Sequence, residues 1–152
     1  MFVFKAAVVG AGVMGGEIAQ VVAAADIPVL LKDVDQKFVD AGLAKAWEVT
    51  EGQVATLVSK AKLTQEQGAE QVERTVSRIT GTTTYDGFGD VDFALEAVPE
   101  KMEVKHAVFS ELDAATPGQA ILASNTSGLS ITELGDATNR PHKVVEIGRA
   151  HV

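Results

Sequence analysis

Near the amino terminus, Gly10-Ala11-Gly12-Val13-Met14-Gly15 fits the spacing G-x-G-x-x-G, and the chemistry open to that spacing is the holding of a pyrophosphate. Gly10 permits a tight turn and Gly12 lets backbone N–H groups approach an anion. Gly15 lets the next helix pack close to the strand before it, so that the positive helix N-terminus faces the phosphates. Asp33 follows the glycines by about twenty residues, where a carboxylate accepts both ribose hydroxyls of an adenosine. A carboxylate there repels a 2′-phosphate, which predicts NAD rather than NADP. Lys32, beside it, could pair with such a phosphate and tempers the preference. Taken without context, the same residues could be a glycine-rich turn and a solvated acid.

The elements that must position them decide between these readings. Ala6 to Val9 is a short all-apolar run, the mark of a strand buried on both faces. An apolar helical stretch runs from Val13 to about Ala25, Asp26 and Pro28 stop it, and Val29-Leu30-Leu31 reads as a second buried strand. The glycines thus leave a strand and open a helix within a β-α-β unit, the context a dinucleotide loop requires. Val39, Leu43, Ala46, Thr50, Val54, Leu57, Val58 and Ala61 then recur at helical spacing as one apolar stripe. Thr64 and Gln67 form a capping-box pattern that starts another helix, running to about Arg78. Two helices in succession make a helical hairpin inserted into the β-α-β plan.

Ile79 to Thr83, Phe93-Ala94-Leu95, Ala120 to Ala123 and Val144-Val145 supply further strands. Between them lie a loop at Tyr85 to Gly89, a helix with Val104, Val108 and Leu112 on its face, and a short helix capped by Ser130 and Glu133. The alternation predicts an α/β fold, a doubly wound parallel sheet of Rossmann type carrying that hairpin.

The bulk numbers agree. A chain of 152 residues with 46% hydrophobic and 22% charged residues is sized for one domain with a proper core. A formal charge of −8 argues against a nucleic-acid partner. With no cysteine, disulfides and thiolate metal sites are excluded, and His106, His142 and His151 show no metal-ligand spacing, so no metal is expected. No apolar run approaches the roughly 20 residues of a membrane span, and the opening lacks a secretory pattern. The expected setting is cytoplasmic, away from membranes.

Val8 to Gly16 and Leu31-Lys32-Asp33 resemble the 3-hydroxyacyl-CoA dehydrogenases of fatty-acid β-oxidation, the latter as in their bacterial multifunctional forms. Leu95-Glu96-Ala97-Val98-Pro99-Glu100 with Val104-Lys105 resembles the family's E-A-V-x-E-x-x-x-x-K stretch, and Ala123-Ser124-Asn125-Thr126-Ser127 its A-S-N-T-S segment. The resemblance runs from about Lys5 to Val145. It implies that Gly10, Ala11, Gly12, Val13, Met14 and Gly15 hold the pyrophosphate of NAD and Asp33 the adenine ribose. Ala97, Val98, Pro99 and Glu100 would lie along the nicotinamide side, with Lys105 pairing Glu100 and reaching the cofactor ribose. Ser127 would be the catalytic-site residue that hydrogen-bonds the 3-oxygen of an acyl-CoA substrate. By residue type alone, Glu100 and Lys105 read instead as an exposed pair near a helix start, worth little to stability. The hairpin would contact coenzyme A, for which Lys60 and Lys62 are candidates. The whole protein is expected to be a homodimer or part of a multifunctional β-oxidation protein. Competing readings are a stand-alone NAD-binding or sensing module and another Rossmann dehydrogenase of β-hydroxy acids.

The family's chemistry needs a histidine base oriented by a glutamate, and a G-x-H-F-F-N-P segment is expected just after Val145. The chain instead reads Glu146-Ile147-Gly148-Arg149-Ala150-His151-Val152, and His151 is not taken as that base. In one frame a widely used short-read sequencing adapter encodes these residues followed by a stop. Residues 1–145 are therefore expected to be the NAD-binding domain and 146–152 a non-native tail, with the family's C-terminal helical domain absent.

Overall fold

A computed structural model describes residues 2–147; Met1 and residues 148–152, most of the tail set apart above, lie outside them. Strands β1 (Ala6–Val9), β2 (Val29–Lys32), β3 (Ile79–Thr82), β4 (Phe93–Glu96), β5 (Ile121–Ser124) and β6 (Val144–Glu146) form one sheet in the order β3-β2-β1-β4-β5-β6. Every pairing is parallel. The chain moves outward from β1 to β3, then returns to the other side of β1 for β4 to β6. The crevice between the carboxyl ends of β1 and β4 is therefore the switch point where such sheets bind ligands. The expected doubly wound fold is present, and its last strand continues through Glu146, with the Ile147 N–H donating to the Ser124 carbonyl at 2.9 Å.

Helices cover both faces: α1 (Val13–Ala24), α2 (Gln36–Ser59) and α3 (Gln65–Val76) on one, α4 (Met102–Ala115) and α5 (Ile131–Asp136) on the other. Strand alternation divides the core accordingly. Ala6, Val8, Val29 and Leu31 join Ala19, Ala23, Val39 and Ala46 in one layer. Ala7, Val9 and Leu30 join Phe88, Phe109, Leu112, Leu122 and Leu134 in the other. Helices α1 and α2 cross in backbone contact, since a methyl group built on Gly16 would stand 2.4 Å from the Gly42 carbonyl oxygen.

The hairpin is as read from its cap: Gln67 N–H donates to Thr64 Oγ at 3.1 Å and Thr64 N–H to Gln67 Oε1 at 3.0 Å. Of the predicted stripe on α2, Val39, Ala46, Thr50 and Val54 are buried and Leu43 is half-buried. Leu57 and Val58 are half-buried, Val58 beside Gly68 of α3, and Ala61 lies beyond the end of α2 and is exposed.

Candidate functional site

Between the carboxyl ends of β1, β2, β4 and β5 lies a cleft of about 760 Å³. Gly10, Gly12, Val13, Met14, Gly15, Asp33, Ala97, Val98, Pro99, Glu100, Lys105 and Ser127 all line it, so residues spread from 10 to 127 in the chain converge on one site. Ala11 is the exception. It is fully buried, and its part is its backbone: the Ala11 N–H donates to Asp33 Oδ2 at 2.8 Å. The other oxygen, Oδ1, accepts the Val34 N–H at 2.6 Å. Asp33 thus stands at the cleft and ties the glycine loop to the end of β2.

Two of the three loop glycines, Gly10 and Gly15, have a steric reason within the fold. Gly10 has φ +105°, and a methyl group on it would lie 2.7 Å from the Ala97 carbonyl carbon. A methyl on Gly15 would stand 1.7 Å from the Gly10 carbonyl oxygen, so α1 can start this close to β1 only without one. A methyl on Gly12 would meet nothing within 4 Å and would project into open space. Gly12 is also the N-cap of α1, where no side chain caps the helix and no acid occupies the first turn. The positive end of α1 therefore faces the cleft with no side chain capping it, which suits a bound pyrophosphate.

At the other end of the cleft the structure adds residues the sequence reading passed over. Glu96, the last residue of β4, is fully buried and accepts three hydrogen bonds. Oε2 takes Lys105 Nζ at 2.5 Å and the Val98 N–H at 2.9 Å, and Oε1 takes Ser124 Oγ at 2.6 Å. Ser124 accepts the Thr126 N–H at 3.1 Å, and Thr126 Oγ1 donates to Glu100 Oε1 at 2.5 Å. Glu100 lies 3.8 Å from Lys105, which closes the ring. The ring joins β4, the loop after it, α4, β5 and the loop that carries Ser127. Lys105 is 1% exposed, which overturns the reading of an exposed pair, and its nearer carboxylate is Glu96 rather than Glu100. The signal was present: Lys105 shares the α4 face of Val108, Phe109 and Leu112, and a lysine on an apolar stripe needs a buried partner.

The Thr126 bond, with Lys105 nearby and against the opposing effect of burial, holds the Glu100 carboxyl below the ordinary carboxylate range. Ser127 lies exposed at the cleft rim, and beside it Asn125 Nδ2 donates to the Met14 sulfur. Val104, expected on the core face of its helix, lines the cleft instead. Lys32 is buried with its ammonium 4.2 Å from the Tyr85 ring centroid, and Tyr85 donates to Glu111 Oε2 at 2.5 Å. Of the histidines, His106 and His142 are exposed and neither lines the cleft, while His151 lies outside the described residues. Among the described residues there is no group that could hold a metal ion and no helix long and apolar enough to cross a membrane.

Comparison with known proteins places this geometry. Residues 5–148 match the family model described as 3-hydroxyacyl-CoA dehydrogenase, NAD binding domain. The fatty acid oxidation complex subunit alpha of Psychrobacter sp. (strain PRwf-1) is 40% identical over 141 residues, 93% of this chain and 18% of that protein. The peroxisomal fatty acid beta-oxidation multifunctional protein MFP2 of Arabidopsis thaliana is 34% identical over the same shares. The crystal structure of (S)-3-hydroxybutyryl-CoA dehydrogenase PaaH1 from Ralstonia eutropha superposes with a TM-score of 0.81 at 31% identity, covering 97% of this chain and 49% of that one. The chain thus spans under a fifth of the length of such curated relatives. The fold, the convergence of the glycine loop with Asp33 and the match over nearly the whole length lead to one assignment: this chain belongs to the NAD-binding domain family of the 3-hydroxyacyl-CoA dehydrogenases, and its cofactor is NAD.

Proposed function

We propose that the cleft is the NAD site of an enzyme that oxidises (3S)-3-hydroxyacyl-CoA to 3-oxoacyl-CoA in fatty-acid β-oxidation. The observation that carries the placement is the 2.8 Å bond between the Ala11 N–H and Asp33, beside the uncapped start of α1. In this reading the residues from Gly10 to Gly15 hold the pyrophosphate, and Asp33 accepts ribose hydroxyls with the lone pairs its two backbone bonds leave free. Val98, Pro99 and Glu100, with Ala97, border the nicotinamide. Lys105 commits two of its three N–H groups, to Glu96 and to the Val98 carbonyl at 3.2 Å, which leaves one for a ribose. Bound NAD supplies the hydride acceptor. Ser127, at the rim, positions the substrate's 3-oxygen.

The preference for NAD over NADP gains support from Lys32. It lines the cleft next to Asp33 with its ammonium over the Tyr85 ring, a contact that already engages the cation a 2′-phosphate would need. Acyl-CoA is the proposed substrate, with exposed Lys60 and Lys62 at the hairpin tip as candidate coenzyme A contacts. The parent protein is proposed as a homodimer or a multifunctional β-oxidation protein. No histidine among the described residues lines the cleft, which supports the further proposal that the 152-residue chain by itself binds NAD without turning substrate over. Titration with NAD and NADP tests the site. NAD should bind more tightly, and Asp33→Ala should weaken it by about 1–3 kcal/mol, the range for hydrogen bonds to a charged group. A wild-type preference for NADP would remove the role given to Asp33.

A further inference from the structure

The charges at the Glu100 end of the cleft do not cancel. Lys105 is the cation there, and it is met from below by Glu96, fully buried at 2.5 Å and locked in place by Ser124 Oγ and the Val98 N–H. Glu100 is a second carboxylate on the same ammonium, 3.8 Å away and half exposed on the cleft wall. The Thr126 hydroxyl fixes its orientation. The same bond holds its carboxyl below the ordinary range, so it is charged at neutral pH. Among the described residues Lys105 is its only ion-pair partner. The other charged residues of the cleft wall are engaged elsewhere, Asp33 on the glycine loop, Lys32 over Tyr85, and Glu111 on the Tyr85 hydroxyl. Within the cluster of Glu96, Lys105 and Glu100, therefore, one negative charge is left over, and it faces the cleft.

The oxidised nicotinamide ring is a cation and the reduced ring is neutral, while the rest of the dinucleotide is the same in both. We propose that Glu100 sets the redox-state preference of this site, favouring NAD+ relative to NADH, because Glu96 has already neutralised the lysine beneath it. The inference rests on the placement of the nicotinamide beside Val98 to Glu100 proposed above. For unit charges about 6 Å apart at a half-exposed site, with an effective dielectric between roughly 40 and 80, Coulomb's law gives about a three- to tenfold effect on the affinity ratio.

The test is calorimetric titration of the 152-residue chain with NAD+ and with NADH, at low and high salt, for wild type, Glu100→Gln and Asp33→Ala. Glutamine keeps an oxygen to accept the Thr126 hydroxyl and removes only the charge. The ratio of NAD+ to NADH affinity should fall about three- to tenfold in Glu100→Gln, and the gap from wild type should narrow as salt screens the charge. Asp33→Ala should weaken both cofactors by the same factor and leave the ratio alone. If Glu100→Gln weakens both cofactors equally, or leaves the ratio within about twofold of wild type, the inference is overturned while the site stands. If Asp33→Ala leaves both affinities unchanged, the placement of the dinucleotide itself fails.

Discussion

Glu96 and Lys105 are a buried ion pair whose energetics differ from those of the exposed pairs elsewhere on this chain. Taking both charges out of water is costly, and the three hydrogen bonds on Glu96 offset that cost only while both partners are present. Glu96→Ala should therefore lower stability by about 3–5 kcal/mol, since it removes the nearer counter-ion of a buried ammonium and the acceptor of Ser124 Oγ and the Val98 N–H. Urea unfolding would show it, and the double change Glu96→Leu with Lys105→Met should recover much of the loss; a double variant no better than the single one would contradict this account. Tyr85 gives a pH signature of the opposite hand. Burial, and then its bond to Glu111, push its hydroxyl well above the ordinary tyrosine range. A raised folded-state value means that its contribution is complete below the unfolded value of about 10 and is lost as pH rises beyond it. Stability should thus decline above about pH 10, and Tyr85→Phe should decline less steeply in melts at successive alkaline pH values. As cleft residues, the glycine loop and Asp33 were legible from local context, and Ser127 from the resemblance carried by the segment around it. The sequence hid Glu96 and Ser124 because β4 and β5 were read as ending at their last apolar residues, Leu95 and Ala123. Both strands run one residue further, and those polar residues are register partners side by side in the sheet.

At the scale of elements, the apolar runs and caps located nearly every strand and helix, because burial on both sheet faces forces near-continuous hydrophobic strands. What periodicity could not supply was where a helix leaves the body of the protein. A stripe of uniform composition on α2 covers two environments, the sheet-side core at Val39 to Ala46 and the α3 partner at Val54 to Val58. Nor could it show how closely α1 and α2 approach. That distance rests on Gly16 and Gly42, which carry no periodic signal. Gly16→Ala should force the helices apart and cost about 1–3 kcal/mol, as overpacking does in a tight core. Because α1 also presents its N-terminus to the cleft, the same variant should weaken NAD binding even at temperatures where it remains folded. Thermal melts with and without NAD would check both; a variant as stable as wild type would mean that the crossing has slack the geometry does not show.

At the scale of the molecule, the cleft has a cofactor-facing floor and an exposed rim at Ser127, and the next group the chemistry requires is a base at that rim. General-base catalysis contributes about 10²–10⁴-fold, and holding the substrate in line with the acceptor contributes more. Among the described residues no histidine lines the cleft, while the curated relatives are several times longer than this chain. On the reading proposed above, the 152-residue chain is expected to bind NAD and to produce no measurable NADH from 3-hydroxybutyryl-CoA. A longer protein joining this domain to a histidine base and a helical substrate domain should be active. In that protein Ser127→Ala should lower turnover by more than it lowers NAD affinity, because the role proposed for Ser127 is toward the 3-oxygen of the substrate. Absorbance at the NADH band, read for the short chain, the long protein and the long Ser127→Ala variant, separates these cases. Steady NADH production by the short chain would show that a base lies where the described residues place none, and would require the reacting geometry at the rim to be drawn again around it.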